Sequence, residues 1–410
     1  MAVVLVSLGM YVHVFLFNLY LADLGLREDV MGRLASAMTL GTLLGTLPAA
    51  ALVRRAGLKA TIVVSVAGLT ASLIVRVLVA GPALSAASLV AGLFLAGWFV
   101  TNFPAIAALT AHSSQADEQR KARAFSLNTA LAIGVGAAGG MLAGHLPGWI
   151  GVTSQAAAKR WALLLAAVPV ALGALVVAVA VRFPRETDGQ TAPGETGWGS
   201  LALLRRSSAR GFLLRFLSAV GLWYAFGAGF HPFLNIYLRN RIGASLEAIG
   251  GVMALAHVIQ ALAALLMAPL VRWLGLVRAV VATQLLASAG VLALWPTHTL
   301  GTAAAIYMIY ISLQVMSEPG LQNLLMSRVP PGHRAAASAA NLFLMFGVQA
   351  LIGATAGMLI VIRGYALLFI VLALVGILSA VLFGILFSGA LHCENAPPAS
   401  GAGNYPGRRE

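Results

Sequence analysis

The sequence predicts an all-α polytopic membrane protein of twelve transmembrane helices in two pseudo-symmetric six-helix bundles. Three observations predict it. Of the 410 residues, 60% are hydrophobic and only 9% are charged, against about 25% charged in an ordinary soluble domain. The apolar residues fall into runs of the roughly 20 residues that cross a bilayer core of about 30 Å. Asn, Pro, Arg and Gly recur in the same order in the two halves of the chain.

The first six apolar runs cover residues 2–22, 31–53, 60–80, 85–111, 124–146 and 161–181. The second six cover 211–238, 246–271, 279–296, 300–326, 335–360 and 366–388. The domain reading follows: an N-terminal bundle over 1–181, a cytoplasmic linker over 182–210, a C-terminal bundle over 211–388 and a disordered tail over 389–410. The linker carries Pro184, Pro193, glycines and charges. Within it, apolar Trp198 to Leu204 precede Arg205 and Arg206, which suits a short helix lying on the inner leaflet. The tail is rich in Pro, Gly and Ser, a composition that buries too little to fold.

The formal charge of +14 would fit a nucleic-acid partner, but its distribution excludes that class. Arg54, Arg55, Lys59, Arg272, Arg278, Arg328 and Arg334 sit in short loops on one side, and the other side holds fewer cations, among them Lys159 and Arg239. Lys/Arg excess marks the cytoplasmic face. An even number of crossings then leaves both termini cytoplasmic, in a bacterial inner membrane. Met1 to Leu21 lacks a basic leader and a small-residue cleavage site, so no cleavable signal peptide is expected. The single cysteine, Cys393, allows no intrachain disulfide and no cysteine metal site. No Gly-rich Lys-Ser/Thr phosphate loop and no metal-ligand cluster is visible. The expectation is therefore no cofactor, no metal, no catalytic residue and no enzyme. A monomer in the lipid bilayer, acting on a small-molecule substrate with protons as coupling ion, remains.

The internal repeat is specific. Leu52-Val53-Arg54 with Gly57-Leu58 matches Leu270-Val271-Arg272 with Gly275-Leu276. Asn18 and Tyr20-Leu21 match Asn235 and Tyr237-Leu238; Pro104 matches Pro319; Asn128, Gly134, Gly140 and Gly144 match Asn341, Gly347, Gly353 and Gly357. Parallel repeats of six helices are one architecture of secondary transporters.

On these features the chain resembles the major facilitator superfamily over nearly its whole length. The resemblance is strongest in the turn after the second helix, Ala50-Ala51-Leu52-Val53-Arg54-Arg55-Ala56-Gly57-Leu58-Lys59. Arg55, Gly57 and Lys59 fit the family motif, whereas Ala50 replaces its first glycine and Arg54 its aspartate. The resemblance implies that this turn and its repeat, with Arg272, Gly275 and Arg278, gate the cytoplasmic side. With Arg54 at the acidic position the family's charge network cannot form as usual, and Arg54 and Arg272 also suit the C-terminal ends of their helices. Drug–proton antiporter signatures are weak: Leu93 stands where an arginine would precede Gly97, and Gly136, Gly139 and Gly140 lack a neighbouring proline.

Ionisable groups at membrane depth are expensive and so are functional candidates. Tyr307, Tyr310, Gln314, Glu318 and Gln322 follow at spacings of three or four, a polar stripe on one helix. Glu318 either binds a proton or cation or pairs with Arg272, Arg328 or Arg334, since it lies about 27 Å along a helix from Leu300. Asp23, His13 and His231 are the other proton-coupling candidates. The resemblance implies a cavity lined by helices one, four, seven and ten. Its candidate residues are Tyr11, Asn18, Trp98, Asn102, Tyr224 and Asn235, with Tyr307, Tyr310 and Gln314. Asn18 and Asn235 suit either the cavity or hydrogen bonds between helices. Arg76 and Arg215 are expected to snorkel to the membrane interface. With no arginine expected in the cavity, strong anion binding is not expected. The functional expectation is a secondary transporter working by alternating access, by proton-coupled efflux of an amphipathic compound or, as the alternative, uptake of a small nutrient by symport or uniport. A membrane-embedded lipid-modifying enzyme is the distant alternative.

Overall fold

The structure is a computed structural model that describes residues 1–111, 118–181, 210–330 and 333–387. The linker, the tail with Cys393 and the short helix expected at 198–204 lie outside the described residues, as do the side chains of 102–130, Asn102 among them. Eleven α-helices run through the described chain. They are α1 (Ala2–Asp23), α2 (Glu28–Leu78), α3 (Pro82–Ala111), α4 (Glu118–Ile150), α5 (Gln155–Ala180) and α6 (Arg210–Phe230). A 3₁₀ turn (His231–Phe233) leads to α7 (Leu234–Asn240), then α8 (Leu246–Leu274), α9 (Leu276–Ala293), α10 (Leu300–Arg328) and α11 (Arg334–Phe387).

Among the described residues, nine helical stretches are long and apolar enough to cross a membrane. Two are double. The 51 residues of α2 and the 54 of α11 would each reach about 75–80 Å at about 1.5 Å per residue. Each is broken once, at Gly57 (φ 78°) and Gly364 (φ 79°). Only glycine adopts such backbone freely, so these residues reverse the chain without a loop. Gly275 (φ 78°) does the same between α8 and α9. With the 33-residue α4 the arrangement is consistent with twelve crossings.

The repeat is visible in contacts. Tyr20 Oη donates to Val77 O at 3.5 Å, and Tyr237 Oη donates to Leu294 O at 2.8 Å. Both tie the end of a repeat's first crossing to the end of its third. In the first repeat α1 packs on α4 and α5, and α2 on α3 and α5. In the second, α6 packs on α11, and α9 on α10 and α11.

The repeats meet along two seams, α2 against α11 and α4 against α8. Both rely on glycine at close approach. A β-carbon on Gly32 would collide with Gly353 O, and one on Gly250 would lie 2.7 Å from Gly140 O. Without a hydrophobic drive between helices in lipid, such close approach is what dispersion needs. These contacts sit at the end of the molecule that holds Asp23. There Tyr365 Oη also donates to Glu28 Oε1 at 3.3 Å across the α2–α11 seam.

Candidate functional site

Two adjoining cavities lie between the repeats. One, of about 450 Å³, is lined by His13, Asn18, Thr42, Arg76 and Asn235 among apolar Phe15, Phe17, Leu95, Phe99 and Phe346. The other, of about 300 Å³, is lined by Tyr224, Gln260, Gln314 and Glu318. Thr39, His231, Pro232 and Gln349 belong to both walls.

The chain break at His231–Phe233 positions the shared wall. Pro232 has no N–H, so the carbonyl of Ala228 loses its intrahelical donor, and Ala228 lines the second cavity. Irregular backbone at membrane depth is tolerated where it faces protein or a cavity. Asn18 Nδ2 donates to Pro232 O at 2.6 Å, and Asn235 Nδ2 donates to Phe15 O at 2.7 Å. The matched asparagines thus make reciprocal bonds, each to the backbone of the other repeat. Asn18 and Asn235 thus both line the first cavity and join helices of the two repeats.

Glu318 lines the second cavity and makes no ion pair or hydrogen bond with a described residue. The expected pairing with Arg272, Arg328 or Arg334 is not formed. Its neighbours are Gln314 and Tyr224, whose hydroxyl accepts from Asn341 Nδ2 at 2.8 Å.

Arg76 corrects an expectation. Rather than snorkelling, it is 5% exposed and lines the first cavity. Its Nε donates to Ser88 Oγ at 3.1 Å, its Nη1 lies 3.4 Å from His13 Nε2, and its Cζ sits 3.9 Å over the Phe17 ring. The cause is local: Phe17 offers a π face and Ser88 an acceptor. Together they hold the guanidinium inside, as cation–π contacts hold cations over aromatic faces. An arginine therefore does face the cavity, against the sequence reading.

Other sequence candidates sit elsewhere. Asp23 is buried at the closed end, where it binds Lys159 Nζ at 2.6 Å and also Arg239, which reaches from α7. It joins the repeats away from both cavities. Trp98 is buried among Ile62, Val66 and Leu69, and its neighbours Leu95 and Phe99 take the cavity face. Tyr11 stands edge-on to His257 with centroids 5.0 Å apart, at the α1–α8 contact. Tyr307 and Tyr310 are buried in the second repeat, where Tyr310 meets Phe226 edge-on at 5.6 Å. The polar stripe therefore splits, because steps of four residues drift by about 40° each on a helix of 3.6 residues per turn. Only Gln314 and Glu318 reach the cavity, and Gln322 is exposed. At the opposite end from Asp23, Arg54, Arg55, Arg272 and Arg278 are exposed and, with Lys59, form no ion pair with a described residue. Gly57 and Gly275 are the backbone pivots of those turns.

A two-repeat helical fold with a largely apolar cavity between the repeats is an architecture of secondary membrane transporters. The Major Facilitator Superfamily model matches residues 1–353, and the chain belongs to that family of multi-pass transporters. Among curated protein sequences none matches. Solved structures do. A bacterial homologue of the human lysosomal transporter Spinster, in an inward-facing and occupied conformation, superposes with TM-score 0.74 and 16% identity, covering 97% of this chain and 98% of that one. The nucleoside transporter NupG gives TM-score 0.70 at 13% identity over 94% and 99% of the two chains. A D-xylose–proton symporter gives 0.70 at 13% over 93% and 95%. At such identities the likeness is one of fold.

Proposed function

We propose that the protein is a proton-coupled secondary transporter that exports a small amphipathic organic solute by alternating access. The observation that carries this reading is Glu318, an acidic side chain on a cavity wall between the repeats with no cation paired to it among the described residues. Ionisable side chains at membrane depth that face a cavity commonly mark ion and proton pathways. The apolar lining with few polar anchors suits an amphipathic solute. In this reading the protein is a monomer in a bacterial inner membrane, with termini on the cytoplasmic side and bundles over 1–181 and 211–388. The seams at the Asp23 end are the outer gate, held shut, and the turns at Gly57 and Gly275 flank the inner mouth.

The test is solute-driven proton movement in proteoliposomes containing wild type or Glu318→Gln. A panel of lipophilic cations, organic acids, sugars and amino acids supplies the solutes, with a pH-sensitive dye inside. Proton flux driven by one solute class, abolished in Glu318→Gln while solute exchange persists, supports the reading. Solute movement without proton flux in wild type overturns the coupling. Co-directional flux of solute and proton overturns export and makes the protein an uptake symporter.

A further inference from the structure

The first cavity contains a charge that the proton-handling role of Glu318 leaves unexplained. Arg76 is buried in the wall with no carboxylate among its described neighbours. A buried cation without a counter-charge costs several kcal/mol, so chains retain one only where something offsets it. Its partners here are neutral: Ser88, His13, Phe17 and the sulfur of Met38 at 3.6 Å from Nη1.

The hydrogen-bond directions narrow what is missing. A guanidinium only donates. Where Arg76 Nη1 donates to His13 Nε2, that nitrogen accepts, and the imidazole proton must sit on Nδ1. His13 is 1% exposed, and its Nδ1 has no partner among the described residues. The Nη2 of Arg76 also makes no bond to a described residue. Two adjacent buried side chains that line one cavity therefore carry unused donors, and no ionised acceptor among the described residues meets them. The Phe17 ring and Ser88 hold the guanidinium plane in place, so the Nη2 donors are ordered before anything binds.

We propose that Arg76, oriented by His13, forms a binding subsite for the oxyanion group, carboxylate or phosphate, of an organic anion. The apolar body of that solute lies against Phe15, Phe99 and Phe346. The unused Nη2 of Arg76 gives such an oxyanion a charge-assisted hydrogen bond, stronger than one between neutral groups. This deepens the transport reading, on which it rests for the claim that the bound anion is cargo.

The test uses the full chain in nanodiscs and proteoliposomes with four probes of one shape: benzoate, phenyl phosphate, benzyl alcohol and benzylamine. Equilibrium binding is measured first, then counterflow. Wild type binds benzoate or phenyl phosphate and neither the alcohol nor the amine, and the preferred acid identifies the head group. Arg76→Gln weakens that binding by about thirtyfold or more. Arg76→Lys, which keeps the charge without the fork, retains part of it. His13→Gln gives a second variant should Arg76→Gln fail to fold, and it weakens binding without abolishing it. Benzyl alcohol or benzylamine binding as tightly as the acids, or acid binding unchanged in Arg76→Gln, overturns the subsite. Failure of both acids to bind wild type overturns it as well. Acid binding without counterflow upholds the subsite and overturns the transport reading.

Discussion

The two repeats share a scaffold and differ in charge. Asn18 and Asn235 answer one another across the interface, and Tyr20 and Tyr237 close the same contact in each repeat. The charged cavity positions have no counterpart. Arg76 precedes Val77 as Ala293 precedes Leu294, so alanine stands where the second repeat would carry the guanidinium. By the same register Phe230 stands in place of His13, and Phe103 in place of Glu318. Each repeat thus supplies one sign of charge, Arg76 to the first cavity and Glu318 to the second, within a frame that both repeats build. Interactions that hold the frame are duplicated and structural. Those that break the symmetry are the ones on which the proposed proton and solute roles rest.

This division can be tested by perturbing the frame. The largest effect is expected at the closed end, where the symmetry is also broken. Asp23→Ala leaves Lys159, whose side chain is 4% exposed, buried without its counter-ion, at a cost of about 3–5 kcal/mol. Thermal unfolding in detergent reads this loss, and Asp23→Asn combined with Lys159→Met recovers much of it. A wild-type melting curve for Asp23→Ala would show that the pair holds nothing together.

Next comes the seam. Gly250→Leu forces α8 away from Gly140 and costs the closed arrangement about 1–3 kcal/mol. Accessibility of a cysteine introduced at the Asp23 end should rise, whereas Gly251→Leu, with open space around it, should leave it unchanged. Equal accessibility in both variants would remove the glycine seam from the gate.

Smaller and more diagnostic is the asparagine pair. Asn18→Ala and Asn235→Ala should each cost about 0.6 kcal/mol and at most about 1.7, the average and maximum for membrane hydrogen bonds, with Asn235→Ala the larger by its added bond from Ile236 N. A loss confined to one of them would break the symmetry assigned to the frame. Last come the tyrosines, with the smallest effect at Tyr20. Tyr237→Phe removes bonds to Leu294 O and Thr297 Oγ1 at 2.8 and 2.9 Å, worth about 1 kcal/mol. Tyr20→Phe removes a single contact at 3.5 Å and should be near neutral in the same melt.

Much of this was legible beforehand, for physical reasons. Span length and loop charge follow from bilayer thickness and the retention of Lys and Arg on one side. The matched Asn, Gly and Arg announced the repeat because such residues are unlikely to coincide in an apolar chain. The site was legible in part. Glu318, Gln314, Tyr224, His13, His231, Asn18 and Asn235 do line the two cavities. Trp98, Tyr307 and Tyr310 were named on residue type and spacing, yet turn into the packing between helices. Asp23 was read as a proton site, and its partners Lys159 and Arg239 come from crossings distant in sequence.

Sequence alone determined the membrane class, the two-repeat plan and the residues able to carry charge, because each depends on composition or on spacing along one helix. The tertiary structure decided which way those charges point. Arg76 near a helix end can reach the interface or turn inward with equal covalent ease. The Phe17 ring, Ser88 and His13, brought beside it by the packing of α1 and α3 against α2, turned it inward.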